Sequence, residues 1–396
     1  MSTLFLHIGM PKTGTSYIQS FLHNNNKILM KKGFNFPSFE ITFDGVEEFR
    51  NGNFLVCQIK NEEGVRNNAL EKEIFDYCFT KIKKLFKKSP NVILSDESLW
   101  NSSKFNYSGD LWPELLKKKE EMNFDLKVIV YLRRQDLFIQ SFWAQQVKGV
   151  CTLPFADYIN SGSFKGIRLD YYKRLQEIAS YVGKENIIVK ACEEQQCAGG
   201  SLVADFLNVV GLKLTDEYEV SDNKINLTLE GAYLQTKLIM NQFDEFRVRR
   251  GYLIGDLKKA MHQNRNSKLA QRVNYFSSYE EQVEFLNKYS EENELVAKEY
   301  MGRTDGALFK DEVLVEEDKR NVVYSEKDCL SILGAIISNK SKEIEKVRLD
   351  NHEKQEILDN LKDNPLERFR ANYRAKKKEK AMAEAAKLEE NEIEGE

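Results

Sequence analysis

The sequence predicts an α/β fold: a P-loop-like, mainly parallel sheet flanked by helices, followed by a largely helical C-terminal part. Short apolar runs at residues 4–8, 91–94, 126–132 and 187–190 alternate with stretches of helical spacing, the pattern of strands joined by crossover helices. The first run ends in a glycine-containing loop that opens directly into a helical pattern. After about residue 222 the pattern is nearly all helical.

Taken in order, residues 4–8 read as a buried strand. Residues 16–29 continue as one helix, with Ile18, Phe21, Leu22 and Leu29 on a shared face. Residues 71–86 repeat Ile74, Phe75, Cys78, Ile82, Leu85 and Phe86 at three and four residues, an amphipathic helix. Residues 91–94 form a short strand after Pro90, followed by Ser95-Asp96-Glu97-Ser98. The strand at 126–132 leads into Arg133-Arg134 and a helix to about Val147. A strand at 187–190 and a helix at 201–210, ended by Gly211, complete the alternation. The expected organisation is an α/β domain over residues 1–330 with a helical insertion at about 223–300, a C-terminal helix over 331–363, and a charged tail over 364–396. Arg368, Arg370, Arg374 and Lys376 to Lys378 make the tail basic first, and Glu389, Glu390, Glu392, Glu394 and Glu396 make it acidic last; with few apolar residues it cannot bury a core.

Composition narrows the function classes. A net charge of −3 argues against a general nucleic-acid binder while leaving room for a local basic cleft. The six cysteines lie without metal-ligand spacing and suggest neither a zinc site nor a disulfide framework. The first residues lack the basic and apolar regions of a signal peptide, and no apolar run approaches a membrane span, so a soluble, cytoplasmic protein is expected.

The first loop, Gly9-Met10-Pro11-Lys12-Thr13-Gly14-Thr15-Ser16, has the chemistry of an anion cradle. Backbone N–H groups at a helix N-terminus favour a phosphate-like group. The glycines allow close approach, Lys12 brings a cation, and Thr13, Thr15 and Ser16 bring hydroxyls. It departs from the nucleoside-triphosphate loop, in which Lys directly follows the last Gly; here Thr15 follows Gly14 and Lys12 lies inside the loop. A second anion site suggests itself at the end of the 126–132 strand, where an Arg and a Ser eight residues later on the following helix, Arg133 and Ser141, can meet one anion. Arg134 competes with Arg133; the eight-residue offset favours Arg133.

Pro11-Lys12-Thr13-Gly14-Thr15-Ser16 resembles the 5′-phosphosulfate loop of sulfotransferases that use 3′-phosphoadenosine 5′-phosphosulfate, and the stretch from His7 to Gln19 looks most like bacterial, carbohydrate-sulfotransferase-like members. Ser16 and Tyr17 are mild variations. The resemblance gives Arg133 and Ser141 the 3′-phosphate, and it runs in order over roughly residues 3–315. It implies a cofactor-binding set of Pro11, Lys12, Thr13, Gly14, Thr15, Ser16, Arg133 and Ser141, no metal, and a late basic segment, for which Arg247, Arg249 and Arg250 are candidates.

Transfer of a sulfuryl group to a hydroxyl or amine requires a base. Glu97, just past a strand on the edge where open α/β sheets bind ligands, is the first candidate; a helix cap or salt bridge is its alternative role. Asp96 is a weaker choice, and His7, inside the first strand, reads as structural. The implied catalytic pair is Lys12, which stabilises the leaving phosphate, and Glu97. The implied acceptor is a carbohydrate or glycoconjugate, for which Trp100, Trp112, Trp143, Phe105 and Tyr107 offer either an aromatic platform or core. An ATP-dependent P-loop kinase and a non-catalytic nucleotide-binding module are the competing functions.

Overall fold

Parallel strands bury both faces, and the five strands here alternate accordingly. They are β1 (Ser2–His7), β2 (Phe34–Asn35), β3 (Asn91–Ser95), β4 (Phe124–Leu132) and β5 (Ile187–Ala191), paired in parallel in the order β2-β3-β1-β4-β5. The computed structural model describes residues 2–43, 46–101, 111–162, 164, 166–220, 229–245, 250–315, 319–360 and 374–375. Leu4, Leu6, Val92, Leu94, Val128 and Val130 point into one core layer, whereas Ile93, Ile129 and Tyr131 point into the other, the period-two signature of a strand.

Helices cover both faces. The smaller layer is made by α1 (Thr15–Asn24), α2 (Asn26–Lys31) and α8 (Leu202–Val209), whose Ile18, Phe21, Leu22, Leu29, Val203 and Phe206 close over Ile93 and Tyr131. The larger layer contains α3 (Asn68–Phe86), α4 (Leu111–Met122), α5 (Gln135–Gly149), α6 (Phe155–Ser161) and α7 (Tyr171–Val182). Beyond them come α9 (Gly231–Met240), α10 (Arg250–Gln263), α11 (Tyr279–Asn287), α12 (Ser290–Met301) and α13 (Glu326–Asn360). The α/β class and the helical C-terminal part are therefore as the sequence predicts. No described helix is long and apolar enough to cross a membrane.

Several element boundaries differ from expectation. The single helix expected over 16–29 is two, because the backbone leaves the helical region at Asn25. The buried Asn25 side chain donates to Phe21 O and Glu219 O and accepts from Glu219 N, so the break is a tie to a distant segment. The C-terminal helix starts at Glu326 rather than residue 331, where Ser325 and Asp328 cap each other's backbone N–H groups. The charged tail lies outside the described residues except at 374–375, as do residues 361–363.

β1 is central, with β3 on one side and β4 on the other. The chain leaves β1 for one side of the sheet and later returns to the other, which opens a crevice at the carboxyl ends of these strands. The first loop, the Glu97 turn and Arg133 all follow strands at this edge.

Candidate functional site

The loop after β1 keeps its sheet pairing as far as Met10, whose N–H donates to Tyr131 O at 2.9 Å, and then turns sharply. Gly9, Lys12 and Gly14 take positive φ values of 89°, 66° and 80°. Gly9 meets a steric need as well: a methyl group there would lie 2.9 Å from Glu97 Cβ. The tight turn thus brings the Glu97 segment against the loop. The Thr13 hydroxyl donates to Met10 O at 2.6 Å and pins the turn, which corrects the expectation that this hydroxyl would donate to a ligand.

The backbone N–H groups of Lys12, Thr13, Gly14, Thr15 and Ser16 have no hydrogen-bond acceptor among the described residues, whereas those of Tyr17 and Ile18 already bond to Gly14 O. A row of unpaired donors ending at a helix N-terminus has the chemistry to hold an anion. Lys12 stands beside it with its Nζ parked 3.1 Å from Gln145 Oε1 on α5. Burial, and then Arg133, push the Lys12 amine below its ordinary value, while Glu97 pulls it upward. A bound anion would relieve that crowding of positive charge.

Lys12, Thr13, Gly14 and Arg133 line one cleft of about 840 Å³, with Arg272, Asn274 and Cys192 on its walls. Pro11, Thr15 and Ser16 are not among the lining residues; Thr15 and Ser16 contribute through their N–H groups. Arg133 Nη1 donates to Lys12 O at 2.8 Å, locking the end of β4 to the loop. Burial and the facing Arg272 hold its guanidinium below the usual arginine value. Ser141 lies in an adjoining cavity of about 140 Å³ with Arg133, Arg272 and Tyr275, and its hydroxyl has no partner among the described residues. Arg133 and Ser141, paired in the sequence reading, thus line one cavity, which shares Arg133 and Arg272 with the larger cleft.

Arg134 is not part of it. Its guanidinium makes a two-pronged bond to Asp136, Nε to Oδ1 at 2.7 Å and Nη2 to Oδ2 at 2.9 Å, and also donates to Asp311 O. Glu193 accepts from Lys310 N at 2.7 Å and from Asp311 N at 3.2 Å. Together they fasten the segment that carries Leu314 to the mouth of the cleft.

Glu97 follows β3 and opens a short 3-10 turn, Glu97–Trp100. Its carboxylate accepts from Gln19 Nε2 at 3.1 Å and lies 3.6 Å from Arg50 Nη1. The side chain keeps 19% of its surface exposed, and Glu97 is not among the residues that line the cleft. Asp96 is enclosed and saturated by Arg50, Asn53 Nδ2 and Ser98 N, which removes it as a base. His7 is fully enclosed and pushed down to about 3 by burial, which leaves it neutral and structural as expected.

Of the two roles open to the tryptophans, the structure gives core: Trp100, Trp112 and Trp143 are 0%, 1% and 4% exposed, while Phe105 and Tyr107 lie outside the described residues. Of the late basic candidates, Arg247 and Arg249 lie outside the described residues, and the Arg250 side chain is not described. Arg272 lines both cavities instead. It is exposed and has no hydrogen-bond or ion-pair partner among the described residues, and it sits in an irregular stretch after the 3-10 turn Lys268–Ala270, where no periodicity marked it. Lys148 was also missed. It lies three residues after Gln145 on α5 and is pushed down to about 8 by burial, then by Lys12 and Lys258.

A curated protein of Archaeoglobus fulgidus, described as an uncharacterized protein, is 27% identical over 205 residues, covering 50% of this chain and 53% of the archaeal one. The chain thus spans about half the length of that relative. No family model and no solved structure match the chain.

Proposed function

We propose that this protein is a sulfotransferase that moves the sulfuryl group of 3′-phosphoadenosine 5′-phosphosulfate to a hydroxyl or amine of a carbohydrate or glycoconjugate. The observation that carries the reading is a pair of adjoining cavities that share Arg133 and Arg272: one is lined by Lys12 and the loop with its unpaired N–H row, the other by Ser141. A donor with a phosphosulfate at one end and a 3′-phosphate at the other needs both sites. A triphosphate loop would use one, and its signature Lys after the second Gly is missing.

In the proposed reaction the acceptor oxygen attacks sulfur as the bond from sulfur to the bridging phosphate oxygen breaks. The acceptor proton passes to Glu97, and the products are the sulfate ester and 3′-phosphoadenosine 5′-phosphate. Charge grows on the departing phosphate, where Lys12 and the loop N–H groups would meet it. Lys12 would leave Gln145 to do so. Glu97 stands beside the loop because Gly9 lets its backbone approach.

The test follows release of 3′-phosphoadenosine 5′-phosphate with a panel of oligosaccharide acceptors, run beside an assay with ATP and magnesium. Glu97→Gln should lower turnover by roughly 100-fold or more, in line with loss of general-base catalysis, and leave donor affinity intact. Lys12→Ala should cripple turnover to a comparable degree. Phosphoryl transfer from ATP with no use of phosphosulfate would replace the reading with a kinase, and nucleotide binding without turnover of either donor would favour the non-catalytic module.

A further inference from the structure

Beneath Glu97 lies a chain of buried polar groups whose direction follows from elementary hydrogen-bond chemistry. Gln19 on α1, Ser95 at the end of β3 and His7 at the end of β1 are all fully enclosed. Gln19 Nε2 is 3.1 Å from Glu97 Oε2 and 3.1 Å from Ser95 Oγ, and Ser95 Oγ is 2.8 Å from His7 Nδ1. A carboxylate only accepts, so the amide must turn its NH₂ toward Glu97; the flipped amide would set two oxygens against each other. The second N–H of that NH₂ reaches Ser95 Oγ, which therefore accepts. The Ser95 hydroxyl in turn lies 2.8 Å from His7 Nδ1, and burial keeps that imidazole neutral.

The arrangement is costly if it is only structural. His7 Nε2 and Gln19 Oε1 are both buried without a hydrogen-bond partner. Leaving two such groups unpaired is a cost that an apolar trio at these positions would avoid.

We propose that Gln19 is a positioning residue for Glu97: its amide holds the carboxylate beside the first loop, and Ser95, itself 2.8 Å from His7, holds the amide. This rests on the reading of Glu97 as the base. The other groups that face Glu97 are Lys12 from the loop and Arg50 at 3.6 Å. Neighbouring Asp96 is spent on Arg50, Asn53 and the Ser98 N–H. Around His7 the packed groups are the rings of Tyr131 and Phe206. Gln19 is thus the neutral donor in the set, with an orientation set from inside the protein.

The test is the carboxyl ¹³C NMR signal of Glu97 in the full chain at one neutral pH, assigned through Glu97→Gln; it needs no acceptor and no turnover. In Gln19→Met, which keeps the volume and removes the donor, the Glu97 signal should shift and broaden, because the carboxylate loses the hydrogen bond that fixes it. Ser95→Ala should move it in the same direction by less, and carries the test if Gln19→Met does not fold. If phosphosulfate turnover is found, Gln19→Met should lower kcat by roughly 10-fold or more and leave the acceptor KM within about twofold. An unchanged Glu97 signal in both variants overturns the inference whether or not the enzyme transfers sulfate. A shifted signal in a protein that never uses phosphosulfate leaves the Gln19 contact standing and removes the sulfotransferase reading.

Discussion

Lys12 holds a left-handed backbone at φ 66°, a conformation that costs a non-glycine residue on the order of 1 kcal/mol, and its ammonium is close to Arg133 and Lys148. Such crowding of like charge is resolved by an anion. Three consequences belong to single residues. Arg272, exposed on both cavities, should act on binding alone: Arg272→Ala should weaken 3′-phosphoadenosine 5′-phosphate by about 10-fold or more in calorimetry, consistent with loss of one charge-assisted contact, and leave thermal stability unchanged. Arg134, tied to Asp136 and Asp311 O, should act on the fold, so Arg134→Ala should lower the melting temperature. Lys148 is pushed down to about 8, so it is an ammonium below that pH and neutral above it. Anion affinity should therefore fall as pH rises through about 8, and Lys148→Met should flatten that step; an unchanged pH dependence in the variant would place Lys148 outside the anion field.

At the scale of elements, the site is made where three strand ends meet: β1 brings the loop, β3 brings Glu97, and β4 brings Arg133. Their register depends on glycines. Gly9→Ala combines a φ of 89° with a contact of 2.9 Å to Glu97 Cβ, so the Glu97 turn must shift and turnover should drop more than donor affinity does. Gly14→Ala combines a φ of 80° with a clash against Leu202 Cδ2 beside the unpaired N–H row, and donor affinity should suffer first. Steady-state kinetics and calorimetry on the two variants separate these outcomes. The elements themselves were legible because apolar periodicity is local: β3, β4, β5 and α3 lie within a few residues of their expected bounds. The loop, Arg133 and Glu97 could be placed at the carboxyl edge of the sheet because each follows a strand, and Ser141 on the helix after β4 because its spacing is helical. The choice between Arg133 and Arg134 depended on the Asp311 carbonyl far along the chain, and Arg272 lies in an irregular stretch with no pattern to read. The tryptophans stayed open between core and platform, because a sequence shows a ring and not which side of it is covered.

For the whole molecule, the parallel sheet and the helices beyond it act as one scaffold. Glu193 at the end of β5, Arg134 at the start of α5, and Arg303, which donates to Ala307 O and Leu308 O, together hold residues 303–314 across the cleft mouth. That segment and Arg272 close a cleft that the first loop alone could not form. The central claim is that the two anion sites belong to one nucleotide. Calorimetry with 3′-phosphoadenosine 5′-phosphate against ADP, at equal pH and salt and without magnesium, tests it most directly. Tighter binding of the 3′-phosphorylated nucleotide by about 10-fold or more is the expected result, since one additional charge-assisted phosphate contact is worth at least about 1.4 kcal/mol. Equal affinity, or a preference for ADP, would contradict it.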